Sequence, residues 1–137
     1  MKYKNILLIN EINDDAENFV LVLNTISHKI RSSVEGSALK ALRKLQDSKL
    51  SPDIIFLDYN MLHLDGTGYL KLLRDIKSLK GIPVVLYSRN SGHMLQEALT
   101  KFKGVHFLRK RANFRKLFES LQNIIKPDGP LLSSGLP

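Results

Sequence analysis

The chain has 137 residues, 43% of them hydrophobic and 25% charged, the size and balance of one soluble globular domain. With no cysteine, disulfides and thiolate metal sites are excluded, and no apolar run approaches the roughly 20 residues a membrane span needs. The net charge of +8 is uneven: residues 101–126 carry Lys101, Lys103, Arg109, Lys110, Arg111, Arg115, Lys116 and Lys126 against a single acid, Glu119. Such a surface attracts an acidic protein or nucleic acid.

The N-terminal stretch "MKYKNILLIN" sets basic residues before an apolar run too short for a signal sequence, whose core needs about 7–15 residues. A cytoplasmic protein is expected. "NILLI" (5–9) reads as the first strand. Asp14 and Asp15 suit the start of a helix, whose inner face is Phe19, Leu23 and Ile26. "IRSSV" (30–34) is a polar strand and therefore an edge. Ser37 caps "ALKALRKLQ", with Ala38, Leu39, Ala41, Leu42 and Leu45 as its inner stripe.

"DIIFLD" (53–58) is apolar throughout, as a strand covered on both faces should be, yet it ends in a carboxylate. A turn around Asp65-Gly66 opens a third helix carrying Leu70, Leu73 and Ile76. "PVVLYS" (83–88) is the fourth strand. Ser91 or Gly92 caps a helix with Leu95, Ala98, Leu99 and Phe102 inside. "VHFLR" (105–109) is the fifth strand, and Asn113 caps a last helix with Phe114, Leu117, Phe118, Leu121, Ile124 and Ile125 inside. Regular βα alternation predicts an α/β domain with a doubly wound parallel sheet over residues 1–126. The Pro-, Gly- and Ser-rich stretch 127–137 predicts a flexible tail.

In an open α/β sheet the binding crevice lies beyond the carboxyl ends of the strands. At those ends stand Asn10 and Glu11, then Asp58 with Asn60 two residues on, then Ser88 and Arg89, then Arg109 and Lys110. Two carboxylates with a backbone carbonyl and water make a hard oxygen site suited to Mg²⁺. Beside it, an ionised Asp58 is a nucleophile toward phosphorus, with the Ser88 hydroxyl and the Lys110 ammonium partnering the phosphoryl oxygens. Gly66-Thr67-Gly68 lacks the third glycine of a dinucleotide fingerprint, and His28, His63, His93 and His106 have no ligand spacing.

The succession "ILLINE", "PDIIFLDYNM" with Asp65-Gly66, "IPVVLYS" and "FLRK" resembles the receiver domain of two-component response regulators, over residues 4 to about 125. The resemblance implies a flavodoxin-like (βα)5 fold with strand order 2-1-3-4-5. It implies Asp58 as phospho-acceptor, Glu11 as an acidic-pair metal ligand and Asn60 as the residue offering a backbone carbonyl to Mg²⁺. Ser88 takes the switch hydroxyl position, Phe107 the rotating aromatic position and Lys110 the phosphate-binding position. The expected partners are a histidine kinase or phosphotransfer protein and, at the face of the fourth helix, fifth strand and fifth helix, an acidic protein rather than nucleic acid.

Four positions depart from the family pattern. Asn10 stands for the usual first acid, so it contributes to a metal only weakly, through water, and Mg²⁺ affinity should be low. Leu62 and Arg111 stand where proline is usual, and a trans bond is expected before Arg111. Arg89 is larger than the usual small residue after the hydroxyl. A phosphorylation-controlled single-domain regulator is the expected function. The alternative is a degenerate receiver that binds protein or nucleic acid without phosphorylation.

Overall fold

Five short strands alternate with helices along the chain: β1 (Asn5–Ile9), α1 (Asp14–Ile26), β2 (Arg31–Glu35), α2 (Ala38–Gln46), β3 (Ile54–Asp58), α3 (Gly66–Asp75), β4 (Val84–Ser88), α4 (His93–Lys101), β5 (Val105–Arg109) and α5 (Phe114–Ile125). Single 3-10 turns at Tyr59–Met61 and Lys77–Leu79 follow β3 and α3. The computed structural model describes residues 3–61, 66–89, 91–111 and 113–126. The expectations placed on Leu62, His63, Asp65 and the tail 127–137 lie outside the described residues.

The strands form one parallel sheet in the order β2-β1-β3-β4-β5, the flavodoxin-like arrangement. Because side chains alternate across a strand, each strand feeds two cores. Leu7, Ile9, Ile55, Leu57, Leu86 and Phe107 pack on the side of α2, α3 and α4. Ile6, Leu8, Phe56, Val85, Tyr87 and Leu108 pack on the side of α1 and α5. The edge position of β2 explains its polar sequence. Among the described residues no helix is long and apolar enough to cross a membrane.

Side chains stop the helices' free N–H groups where expected: Ser37 Oγ accepts from the Lys40 amide at 3.2 Å, and Asn113 Oδ1 from the Lys116 amide at 3.2 Å. Gly92 caps α4 without a side-chain bond, and α1 is capped by Asn13, one residue before the acidic pair. Two residues expected inside are not. Leu39 is 56% exposed because Ala41, Leu42 and Leu45 form the stripe that meets the sheet and Leu39 falls beside it. Phe114 is 43% exposed because it occupies the first turn of α5, at the rim where the core ends.

A clasp closes the end of the sheet remote from that rim. The Arg74 guanidinium donates to the carbonyls of Leu79, Ile82, Lys103 and Gly104 at 2.7–3.1 Å, tying α3 to the loops before β4 and β5. Gly104 has φ +71°, and a Cβ there would lie 2.9 Å from the guanidinium, so both backbone and space call for glycine.

Candidate functional site

Among the described residues the buried polar or charged side chains are Asn10, Asp58 and Ser88, which end or follow β1, β3 and β4. A buried polar group persists only where it is hydrogen-bonded or has a task. These three stand together at the carboxyl rim.

Asp58 is fixed from two sides. Its Oδ1 accepts the Asn60 amide at 3.1 Å, which bends the chain into the 3-10 turn after β3. Its Oδ2 lies 3.1 Å from Lys110 Nζ. Lys110 is itself aimed by the ladder: its amide donates to the Ser88 carbonyl at 2.8 Å, carrying the β4–β5 pairing one residue past β5. The ammonium also lies 3.4 Å from Asn10 Oδ1 and 5.2 Å from the centroid of the Tyr87 ring. Asn10 spends its amide N–H on the carbonyl of Glu11 at 3.0 Å. The start of α3 is also tightly fitted, since a Cβ on Gly66 would lie 2.6 Å from the Tyr59 hydroxyl.

Glu11, expected in the acidic pair, is exposed at the tip of the loop after β1. The pleat explains this. Asn10 continues the face of Ile6 and Leu8 toward Asp58, and the next residue projects outward. Phe107 is 5% exposed, packed on the α4 side with Leu86, Leu95 and Ala98, and the Arg109 guanidinium lies 5.9 Å from its ring centroid. No cis peptide bond occurs among the described residues, the Lys110–Arg111 bond included.

A carboxylate missed in the sequence belongs here. Asp15, in the first turn of α1, lies 3.5 Å from the Arg89 guanidinium, and the Arg89 carbonyl accepts from Arg109 at 3.1 Å. The buried Tyr87 phenol is pushed well above its ordinary range by burial and, in addition, by the Asp15 and Asp58 charges. Asp15, Tyr87, Arg89, Lys110 and Arg111 line a cavity of about 240 Å³ at the rim. The signal in the sequence was the acidic start of α1, which a helix dipole explains by itself.

Among the described residues no three His, Cys, Asp or Glu side chains gather as metal ligands. The donors expected of such a site are the Asp58 carboxylate and the backbone carbonyl of Asn60, with the exposed Glu11 carboxylate able to join them only by turning inward. Mg²⁺ accepts one or two carboxylates when waters complete its shell, so the set fits a weakly held hard cation.

The family model for the response regulator receiver domain matches residues 6–122. Response regulator Rcp1 of Synechocystis sp. is 29% identical over 129 residues, covering 88% of this chain and 86% of that protein. The two-component response regulator-like protein APRR3 of Arabidopsis thaliana is 27% identical over 114 residues, 82% of this chain but 23% of that longer protein. The solved Mn(2+)-bound form of Rcp1 matches with a TM-score of 0.74 and 26% identity, over 96% of this chain and 99% of that one. The receiver domain of sensor histidine kinase PA1611 from Pseudomonas aeruginosa, with magnesium coordinated in its active site cleft, shares the fold with a TM-score of 0.68. Its identity is 19%, over 88% of this chain and 95% of that one. With order, register and motifs in agreement, this chain belongs to the response regulator receiver domain family of two-component systems.

Proposed function

We propose that Asp58 accepts a phosphoryl group from a histidine kinase or phosphotransfer protein, and that its modification switches protein binding. The observation that carries this reading is the buried carboxylate of Asp58 held 3.1 Å from Lys110 at a strand tip. An Asp58 oxygen attacks phosphorus, and the bond from phosphorus to the donor's nitrogen or oxygen breaks with its electron pair leaving on the donor. The strand holds the nucleophile rigid, which lowers the cost of alignment. Lys110 moves its charge from the carboxylate to the phosphoryl oxygens, and the Ser88 hydroxyl partners another.

Mg²⁺ or Mn²⁺, of which the two solved relatives each hold one, would neutralise phosphoryl charge when bound to Asp58, Glu11 and the Asn60 carbonyl, with Asn10 contributing weakly through water. Residues 1–126 make the receiver and 127–137 its tail. The domain is on this reading a phospho-acceptor rather than an enzyme with a separate substrate, and it acts in the cytoplasm beside its donor.

The output face is α4, β5 and α5. If Ser88 moves to bond the phosphoryl group, Phe107 can repack into the space it leaves, a change with two discrete arrangements. Lys101, Lys103, Arg109, Arg111, Arg115 and Lys116 belong to that face, which fits an acidic protein; no aromatic platform for nucleic acid accompanies them. A second reading, constitutive binding without phosphorylation, draws support from Asn10, whose oxygen faces Lys110 where the family usually has an acid. Intact-mass measurement after incubation with acetyl phosphate and a divalent ion separates the two.

A further inference from the structure

The departures at Asn10, Arg89 and Arg111 have one electrostatic consequence in common. Three carboxylates beside one lysine leave a net negative charge, which by Coulomb's law opposes the approach of a phosphate dianion. Here Asn10 removes one of those carboxylates, and Arg89 and Arg111 add two cations. The cavity beside Asp58 is lined by three cations, Arg89, Lys110 and Arg111, the second of which pairs with Asp58 at 3.1 Å, and by one carboxylate, Asp15. Glu11 is exposed to solvent, and Asp15 sits 3.5 Å from Arg89, so the cavity beside Lys110 is lined by more cation than anion.

Arg109 donates to the Arg89 carbonyl at 3.1 Å, the largely exposed Arg89 guanidinium lies 3.5 Å from Asp15, and Arg89 and Asp15 both line the cavity. The Lys110 amide is locked to Ser88, which fixes where the next residue, Arg111, leaves the strand. Arg111 is half-buried and makes no ion pair among the described residues. Guanidinium groups are fitted to phosphate by their paired donors and stay charged at any working pH. Lys110 links the two places: its ammonium lies 3.1 Å from Asp58, and the residue lines the cavity.

We propose that Arg89, Lys110 and Arg111 form a phosphate subsite next to Asp58 that takes a dianionic phosphate group without a divalent ion. The subsite rests on the reading of Asp58 as phospho-acceptor for its purpose, since it would seat the donor's phosphate before transfer, but not for its binding chemistry. A free small phosphodonor and a phosphohistidine carry the same group, and the subsite serves either.

The test is a titration of the isolated chain with inorganic phosphate in EDTA at constant ionic strength, followed by amide and guanidinium NMR shifts, with chloride as control. Saturable shifts centred on Arg89, Lys110 and Arg111 are expected. Arg89→Ala with Arg111→Ala should weaken binding at least tenfold, because two charge-assisted contacts are lost. Asp58→Asn should bind phosphate as tightly or more tightly, one negative charge having gone. Shifts no larger than with chloride, or equal affinity in the double arginine variant, would overturn the subsite. Failure of Asp58 to take up a phosphoryl group, with phosphate binding intact in EDTA, would instead count against the proposed function alone. Addition of a phosphohistidine analogue in a parallel arm distinguishes the two sources: competition with inorganic phosphate shows a shared subsite, and its absence restricts the subsite to free phosphate.

Discussion

Lys110 Nζ lies 3.1 Å from Asp58 Oδ2, and their side chains are only 11% and 12% exposed. Removing one partner of a buried pair leaves the other charge without compensation, at a cost of about 3–5 kcal/mol. Lys110→Ala should therefore destabilise the domain by that order. Asp58→Asn in the same background should recover much of the loss, because the stranded charge is removed. Urea denaturation of the three proteins checks this, and a double variant no more stable than Lys110→Ala would contradict it.

Asn10→Asp restores the acid that the family usually carries at this position and should tighten divalent-ion binding. The added charge attracts the divalent ion, although Lys110, whose ammonium lies 3.4 Å from the Asn10 oxygen, competes with the metal for the new carboxylate. A gain of about one order of magnitude in affinity is expected. Calorimetric titration of both proteins with Mg²⁺ and Mn²⁺ measures it. Equal or weaker binding by the variant would show that missing charge does not limit the site.

Strand and helix positions were largely legible because a parallel sheet covered on both faces writes its strands as apolar runs, whereas the strand order came only with the family resemblance. Asp58 and Ser88 stood out for a related reason, each breaking such a run at its carboxyl end, and Lys110 follows Arg109, which ends the fifth run. The orientation of Asn10 inward and Glu11 outward was also present in the period-2 pattern, since Asn10 shares the face of Ile6 and Leu8. Asp15 was hidden because an acid in the first turn of a helix already has a local cause. The Arg74 clasp was hidden for the opposite reason. Two of its four carbonyl partners, Leu79 and Ile82, lie within eight residues, but Lys103 and Gly104 come from about thirty residues on, and no local pattern encodes their convergence.

His106 gives the fold a pH dependence at the clasp end. Burial, and then the nearby Arg74 charge, hold its imidazole below its ordinary value of 6.5, and Nδ1 is buried without a hydrogen-bond partner among the described residues. The folded state thus favours the neutral ring while the unfolded chain takes up a proton near 6.5. The resulting stability is present above that pH and is lost as pH falls from 6.5 toward the lowered folded value. Urea midpoints measured from about pH 7.5 down to about pH 5 should fall more steeply for wild type than for His106→Leu. Parallel curves would contradict the assignment.

The α4–β5–α5 face should bind its partner through charge, so binding should weaken as salt rises. Charge reversal of Lys101, Arg111 and Arg115 together should reduce recovery of partners in a pull-down from source lysate. Recovery of the same partners by wild type and variant would exclude this face, and loss of recovery on nuclease treatment would change the partner class to nucleic acid.

Phosphorylation of Asp58 is tested most directly by the intact mass of the protein after incubation with acetyl phosphate and Mg²⁺, beside Asp58→Asn treated in the same way. One added phosphoryl group on the wild type and none on the variant is the expected result. No adduct on the wild type at saturating Mg²⁺, with a phosphorylated histidine kinase also failing as donor, would contradict it and leave constitutive binding as the function of the domain.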